Sequence, residues 1–270
     1  MRNNVFKQGM LRMFTDERHE RIRQELAENG RVLAAELAGQ FGVSEDTIRR
    51  DLREMAKAGL CRRVYGGALA VSPAPDGGPL GERLLAGRDS KARLGHVAAG
   101  LVKEAQTIFI DAGSTNVAIA RALPLDRKFT VITNSPAIAV ALAGHGNCTT
   151  ILLGGVFNPD KGACLGAQTL REVQQVYADL LILGSCGLSP LVGVTALDWD
   201  EAQIKRAMVQ QSRDVLLAAT NDKLDTVAPF RICEINDIGQ LILEGDASPA
   251  TIRALREMGP TVHQADEGAD

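Results

Sequence analysis

The first seventy residues carry apolar positions at helical spacing, and this pattern predicts three short amphipathic helices. The first covers residues 16–28, the second covers residues 34–41, and the third lies between Ser44 and Gly59. In each helix, apolar side chains recur one turn apart and form a stripe that packs against a core. The stripes consist of Ile22 and Leu26, of Leu37 and Phe41, and of Ile48, Leu52 and Met55.

The third predicted helix has recognisable ends and a cationic outer face. The Ser44 hydroxyl can accept a hydrogen bond from an early backbone amide, and Gly59 can adopt the left-handed conformation that ends helices. The face opposite the apolar stripe presents Asp46, Arg49, Arg50, Arg53 and Lys57. Such a face suits DNA, although an ordinary surface helix with acid–base pairs one turn apart is the alternative.

The segments around this helix complete a winged helix-turn-helix. Residues 41–44 form a short break that contains Gly42, as expected between the two helices of a helix-turn-helix. Apolar runs at residues 60–64 and 68–71 flank Tyr65-Gly66-Gly67, which predicts a β-hairpin. We therefore predict a winged helix-turn-helix DNA-binding domain over residues 15–71.

A second domain is predicted after a segment rich in Pro and Gly. We expect a linker over residues 72–82, a helix over residues 83–101, and then short apolar runs that alternate with helical segments. This alternation predicts an α/β domain with a mostly parallel sheet over residues 83–262. The predicted strands cover residues 108–110, 130–133, 149–153, 180–183, 215–219 and 241–243. Residues 1–14 are expected to be a flexible leader, with Met10 or Met13 as alternative starts, and residues 263–270 a tail.

Polar loops follow the first three predicted strands. Ligands of parallel sheets bind at the carboxyl ends of the strands, and the amides of a helix N-terminus favour anions such as phosphate. A tight turn with a helix cap is the alternative for each loop, but three loops at equivalent ends predict a shared anion site. Its candidate residues are Asp111, Gly113, Ser114 and Thr115 after the first strand, Asn134 and Ser135 after the second, and Gly154 and Gly155 after the third.

Charge is distributed unevenly between the two predicted domains. The whole chain has a formal net charge of −3, but residues 1–71 carry 13 Lys and Arg against 10 Asp and Glu. A basic N-terminal domain joined to an acidic remainder of the chain suits DNA binding by the N-terminal domain. The five cysteines are scattered, which indicates neither a disulfide framework nor a zinc site and fits the cytoplasm. No apolar run is long enough for a membrane span, so we expect no membrane association.

The chain resembles the DeoR family of bacterial transcriptional regulators. In the first domain the resemblance rests on Glu36-Leu37-Ala38, Phe41, Val43-Ser44, Thr47 to Leu52, Gly59-Leu60, Arg63 and Gly66-Gly67-Ala68. In the second it rests on Lys91, Asp111 to Thr115, Thr133 to Ser135, Gly154-Gly155, Leu165-Gly166, Asp179, Gly184, Gly187, Gly193, Glu201 and Lys205 to Met208. The chain departs from the family pattern at Leu33, where a Ser or Thr helix cap is common, at Tyr65, where His is common, and at Thr220, where Asp is usual.

The resemblance implies an α/β sensor domain whose fold is similar to that of ribose-phosphate isomerase and glucosamine-phosphate deaminase. It also implies that this sensor domain binds a phosphorylated sugar or related metabolite. It also makes Lys205 a candidate cationic partner of that effector. A phosphosugar enzyme with Asp111, Asp198, Asp200 or Glu201 as acid and base is the alternative.

We predict a repressor of a carbohydrate catabolic operon that acts as a homodimer or homotetramer on double-stranded operator DNA, with no catalytic residues, metal or cofactor. Its effector-binding residues are predicted to be the eight strand-end residues and Lys205. Its DNA-binding residues are predicted to be Ser44, Glu45, Asp46, Thr47, Arg49, Arg50 and Arg53 in the third helix and Arg62, Arg63 and Tyr65 in the wing.

Overall fold

A computed structural model describes residues 14–29, 31–70, 72–75 and 77–266. The chain divides into two compact units, Met1–Ser72 and Pro73–Asp270. The predicted leader lies outside the described residues except for Phe14, and so do residues 267–270 of the predicted tail. Within the part of the chain that is described, no helix is long and apolar enough to cross a membrane.

The N-terminal unit is a winged helix-turn-helix, as the sequence predicts. Its elements are α1 (Thr15–Asn29), β1 (Arg31–Leu33), α2 (Ala34–Phe41), α3 (Glu45–Lys57), β2 (Cys61–Val64) and β3 (Gly67–Ala70). All seven residues of the three predicted stripes are buried, and they form one core with Val32, Ala34, Cys61 and Ala68. Gly42 and Gly59 have positive φ angles of 64° and 72° after α2 and α3, so both helices end where the sequence places a glycine.

Strand β1 was not predicted, because three residues are too few to show a period. It pairs antiparallel with β3, which makes β3 the central strand of a three-stranded sheet. A Cβ on Gly67 would lie 1.9 Å from the carbonyl oxygen of Val32, so this close approach requires glycine. Helix α2 follows Leu33 without a side-chain cap, as expected from the apolar residue at this position.

The C-terminal unit alternates strands with helices. Strand β4 (Ser72–Pro73) lies where the two units divide. The elements that follow are α4 (Leu80–Leu85), α5 (Arg88–Gly100), β5 (Thr107–Ile110), α6 (Ser114–Ala122), β6 (Phe129–Thr133), α7 (Pro136–Ala141), β7 (Cys148–Leu152), β8 (Val156–Asn158), β9 (Ala163–Leu165), α8 (Ala167–Val173), β10 (Leu180–Leu183), β11 (Gly187–Ser189), β12 (Gly193–Ala196), α9 (Trp199–Gln210), β13 (Val215–Ala219), β14 (Thr226–Val227), β15 (Phe230–Cys233), β16 (Gln240–Glu244), α10 (Pro249–Arg256) and β17 (Thr261–Ala265).

Seven of these strands form a parallel sheet in the order β17-β16-β13-β10-β5-β6-β7. The chain builds outward from β5 through β6 to β7, and then returns to the other side of β5 and continues from β10 to β17. The direction of sheet growth therefore reverses between β5 and β10. Every residue of β10 and β13 is buried, and one hydrophobic cluster covers each face of the sheet.

Three boundaries differ from the sequence predictions. The helix predicted over residues 83–101 is two helices, because Gly87 adopts a positive φ of 59° and the Lys91 amine donates to the carbonyl oxygens of Arg83 and Ala86. Helix α4 begins at Leu80, inside the predicted linker. Strand β17 extends three residues beyond residue 262, because it pairs with β16 at the edge of the sheet.

Candidate functional site

Helix α3 presents its charged face outward while its apolar stripe holds it to the domain core. Ile48, Leu52 and Met55 are each at most 1% exposed. The Ser44 hydroxyl accepts a hydrogen bond from the Thr47 amide at 3.2 Å, which confirms the predicted cap. The residues exposed on the outer face are Asp46, Arg49, Arg50, Arg53 and Lys57. The charged side chains of α3 are thus exposed while its apolar side chains form the core of the N-terminal unit.

The other predicted DNA-binding residues surround this face. Ser44 is exposed, and Glu45 and Thr47 are partly buried. The Glu45 carboxylate accepts from the Arg49 guanidinium at 2.7 Å. In the wing, Arg63 and Tyr65 are exposed at the hairpin and Arg62 is partly buried.

A buried ion pair that the sequence analysis did not identify fastens α3 to α1. Arg18 donates from Nε and from a terminal nitrogen to the two carboxylate oxygens of Asp51, at 2.7 and 3.0 Å. Both residues are less than 10% exposed, and the hydrogen bond to Asp51 raises the pKa of Arg18. The fork geometry fixes the rotation of α3 about its axis, which decides which side chains face outward.

The same carboxylate belongs to a group of three possible metal ligands in the described part of the chain. His19, Asp51 and Glu54 offer ligand atoms within 4.8 Å of one another. Because Arg18 already occupies both Asp51 oxygens, a cation here would lie against a guanidinium. The group does not fit a metal site.

Replacing Asp51 with alanine should destabilise the N-terminal unit by about 3–5 kcal/mol, since removing one partner of a buried ion pair leaves the other charge buried without its counterion. Hydrogen–deuterium exchange of the α3 amides in the full chain should accelerate accordingly. Replacing Glu45 with alanine is the control, because its pair with Arg49 is exposed and such a pair contributes about 0.3–0.5 kcal/mol. Equal exchange rates in the two variants would contradict the role given to Asp51.

In the C-terminal unit, a cavity of about 360 Å³ opens at the carboxyl ends of the parallel strands. Ser114 follows β5, and Ser185 and Cys186 follow β10, so the cavity includes the point where sheet growth reverses. Crevices at such reversal points are the usual ligand sites of open α/β sheets. The other lining residues are Pro75, Gly77, Gly78, Arg83, Ala86, Gly87, Ser90, Lys91, Lys161, Leu197, Glu201, Thr220, Asp222, Lys223 and Glu244.

The lining of the cavity carries more cations than carboxylates. Its charged lining residues are Arg83, Lys91, Lys161 and Lys223 against Glu201, Asp222 and Glu244. Burial lowers the pKa of Lys91 and of Lys223; the Asp222 carboxylate opposes this shift for both, and nearby cations add to it. Among the described residues, the Ser185 hydroxyl and the Glu201 Oε2 atom are buried without a hydrogen-bond partner. These features fit an anionic ligand that also carries hydroxyl groups.

A second buried ion pair lies next to the cavity. The Lys205 amine donates to the Asp111 carboxylate and lies 3.2 Å from a Glu201 oxygen. Burial opposes the charge on Lys205, but the attraction of Asp111 and Glu201 outweighs it and raises the pKa of Lys205. The Gly184 amide also donates to Asp111 at 2.9 Å, and a Cβ on Gly184 would lie 2.8 Å from that carboxylate oxygen. Glycine at the end of β10 therefore lets the pair join β5, β10 and α9.

Of the nine predicted effector residues, Ser114 is the one that lines the cavity in the described structure. Asp111 and Lys205 neutralise each other, as described above. Gly113 precedes α6 with a φ of 148°, and the buried Thr115 hydroxyl has no hydrogen-bond partner among the described residues. In the described structure, Asp111, Gly113, Thr115 and Lys205 are not among the residues that line the cavity.

The other predicted residues make structural contacts near β9 and α8. The Asn134 side chain donates to the Cys164 carbonyl at 3.1 Å, and Ser135 donates to the Gly162 carbonyl at 2.9 Å. The Gly154 amide donates to Glu172 at 2.9 Å, and a Cβ on Gly155 would lie 2.2 Å from the Thr169 hydroxyl. These contacts join segments that are distant in sequence and differ from the local turn and helix cap of the alternative. An effector role for the four residues stays a prediction.

Sequence reasoning missed most of the lining because it followed only the first three strands. The same rule applied to β10 and β13 would have found Ser185 and the segment from Thr220 to Lys223, since both follow predicted strands. Arg83 and Lys161 carry no such signal. They reach the cavity because Arg83 donates to the carbonyl oxygens of Asp160 and Lys161, a contact between distant segments.

Comparisons with known proteins agree with this two-unit organisation. The DeoR-like helix-turn-helix domain matches residues 18–74, and the DeoR C terminal sensor domain matches residues 87–245. The HTH-type transcriptional regulator GlpR of Haloferax volcanii is 30% identical over 250 residues, which is 93% of this chain and 98% of that protein. The glycerol-3-phosphate regulon repressor of Escherichia coli is 29% identical over 241 residues, 89% of this chain and 95% of that protein.

Likeness to solved structures is weaker. Ribose 5-phosphate isomerase A from Neisseria gonorrhoeae aligns with 51% of this chain and 54% of its own, at 17% identity and a TM-score of 0.38, which is too low to add to the fold assignment. The two domain matches, in this order and together with relatives that align over nearly the whole length, show that the chain belongs to the DeoR family of transcriptional regulators.

Proposed function

We propose that this DeoR-family regulator represses a carbohydrate catabolic operon and that a phosphorylated sugar or related metabolite controls its binding to DNA. In this proposal α3 enters the major groove of the operator, and the wing residues Arg62, Arg63 and Tyr65 contact the backbone or the minor groove. One such module buries too little surface for tight specific binding, so the regulator acts as a homodimer or homotetramer on repeated half-sites. It works in the cytoplasm, where operator DNA lies.

The single observation that carries the effector assignment is the position of the cavity at the reversal point between β5 and β10. Its volume of about 360 Å³ suits a small metabolite. We propose that Lys91, Lys161 and Lys223 hold the phosphate and that Ser114 contributes its hydroxyl near the N-terminus of α6. Ser185 and Glu201 would then take the hydroxyl groups of the sugar, since both have buried oxygens that lack partners among the described residues.

A bound phosphate would also offset the cost of burying the ammonium groups of Lys91 and Lys223. Burial lowers the pKa of Lys91 and of Lys223, and a bound anion would act in the opposite direction. The name of the Escherichia coli relative refers to glycerol 3-phosphate, which supports a small phosphorylated polyol or sugar as the effector class. The effector controls DNA binding only if it binds the DNA-competent and DNA-incompetent arrangements with different affinity.

We propose that the protein is not an enzyme, because three of its four candidate acid–base groups have other partners or lie outside the cavity lining. The fourth, Glu201, lines the cavity, and one of its oxygens lies 3.2 Å from the Lys205 amine. The Asp111 carboxylate is held by Lys205 and by the Gly184 amide. The Asp198 carboxylate caps α9 by accepting from the Glu201 amide at 2.9 Å. Asp200 is exposed on the first turn of α9 and is not among the residues that line the cavity, as far as the chain is described. General acid–base chemistry needs a group that is free to exchange a proton with the substrate.

A thermal-shift screen of the full chain against phosphorylated sugars, polyols and aldonates tests this proposal. A ligand at 100 times its dissociation constant adds about 2.7 kcal/mol to the free energy of unfolding, so the true effector should raise the melting temperature by several degrees. The same compound should release the protein from operator DNA in a mobility-shift assay. Turnover of the compound by the protein, or a melting shift without any change in DNA binding, would contradict the proposal.

A further inference from the structure

One long segment of the chain carries no charge. Residues 129–159 are 31 consecutive positions without Asp, Glu, Lys or Arg, in a chain of which 23% is charged. The segment forms β6, α7, β7 and β8. It therefore covers one whole edge of the parallel sheet, which ends at β7.

Several large apolar side chains of this segment are exposed. Val140 on α7 is 75% exposed, Ile151 and Leu152 on β7 are 46% and 47% exposed, and Val156 and Phe157 on β8 are 77% and 50% exposed. We call these five residues the uncharged edge. Since α7 contacts β7, and β8 follows β7 after a three-residue turn, their elements are neighbours in the fold.

The backbone of β7 is also open on its outer side. Strand β7 pairs with β6, and no other described strand pairs with it. Exposed edges of this kind are normally blocked by charged side chains, by proline or by a covering segment, because an unblocked edge recruits other strands. The opposite edge strand, β17, differs in that its exposed residues are the polar Thr261 and Gln264.

We infer that the uncharged edge is the surface through which two copies of this chain associate. A two-fold axis beside β7 would place this segment of one copy opposite the same segment of the other, and because the segment has no charged residue, such a contact brings no like charges together. A charged partner would need opposite charges, and this segment has none. Depletion of charge with exposed apolar residues is typical of the buried centre of an interface between copies of one protein.

Such an association lies entirely within the C-terminal unit. It supplies the second copy that binding to repeated half-sites requires, and it needs neither DNA nor effector. Its test is therefore separate from the test of the proposed function. Loss of the interface would leave the charged face of α3 and the lining of the cavity unchanged.

Sedimentation of the full chain at micromolar concentration, without DNA or effector, tests the inference. The native chain should sediment as a dimer or a larger species. Val156→Lys and, separately, Val140→Lys should each raise the dissociation constant of the dimer by about tenfold or more, since each would place an ammonium group in an apolar contact. Both positions are about three-quarters exposed, so lysine is compatible with the folded chain.

Thr261→Lys is the matched control, because it adds the same side chain to an exposed position on the opposite edge strand. It should sediment like the native chain. In parallel, the outward-facing amides of β7 should exchange slowly in the concentrated native protein and faster in Val156→Lys. A monomeric native chain, unchanged association of both variants, or equal dissociation of the Thr261→Lys control would each overturn the inference.

Discussion

Replacing Arg49 and Arg50 together with alanine is expected to weaken operator binding by about 30-fold or more at fixed moderate salt, because each arginine that contacts a base or phosphate contributes about 1–3 kcal/mol. The fold should be unchanged, because both side chains lie on the exposed face of α3, opposite the buried Ile48, Leu52 and Met55. Fluorescence anisotropy with a labelled operator fragment measures the affinity, and circular dichroism checks the fold.

The control for this change is the double variant Arg21→Ala with Arg23→Ala. These two arginines lie on α1, outside α3 and the wing, and their exposed ion pairs with Glu17 and Glu20 contribute little to stability. The control also loses two positive charges, so its affinity for operator should fall only by the small contribution of long-range attraction to DNA. If both double variants bound operator equally well, α3 would not be the DNA-reading element. The slope of affinity against salt concentration should also fall only for the α3 variant.

Replacing Ser114 with aspartate is expected to lower the affinity for a phosphorylated effector by on the order of 100-fold. Two negative charges about 5 Å apart repel each other by about 3 kcal/mol at the effective dielectric constant of a partly buried site. The protein should still bind operator, so the operon would stay repressed in the presence of effector. The helix dipole favours a carboxylate in the first turn of α6, whereas the burial of Ser114 opposes it, so circular dichroism must show that the variant is folded.

Ser114→Asn is the matched control, because asparagine has nearly the same size as aspartate but no charge. It should lose about tenfold in affinity at most, the value of one hydrogen bond. Isothermal titration calorimetry measures the affinity of both variants for the effector from the thermal-shift screen and for inorganic phosphate as a probe. Equal affinities for aspartate and asparagine at position 114 would mean that the phosphate binds elsewhere.

The N-terminal unit could be predicted closely from the sequence, because local signals determine it. Caps, glycines and apolar stripes fix helices within one or two residues, and α2 begins and ends at the predicted residues. Strand β1 and the Arg18–Asp51 pair could not be predicted in this way. Both depend on contacts between segments that are distant in sequence, and no local periodicity records such contacts.

The parallel sheet of the second unit could be predicted from its apolar runs, but the order of its strands could not. The lining of the cavity depends on that order, because the site lies where β10 returns beside β5. Asn134 and Gly154 follow β6 and β7, on the side of β5 away from β10. Asn134 donates to the Cys164 carbonyl, and the Gly154 amide donates to Glu172. Polar loops at strand ends could thus be predicted, whereas the strand order that decides which loops line the cavity could not.

The ion pair between Asp111 and Lys205 has a consequence for how regulators of this architecture can diversify. The Lys205 ammonium faces the carboxylates of both Asp111 and Glu201, so these charges next to the cavity are balanced within the protein rather than by a ligand. Side chains contributed by separate loops, such as Lys161, Ser185 and Lys223, can then be exchanged one at a time without exposing an unbalanced buried charge. New ligand specificities can therefore arise through single replacements in the cavity lining, while the DNA-binding unit stays unchanged.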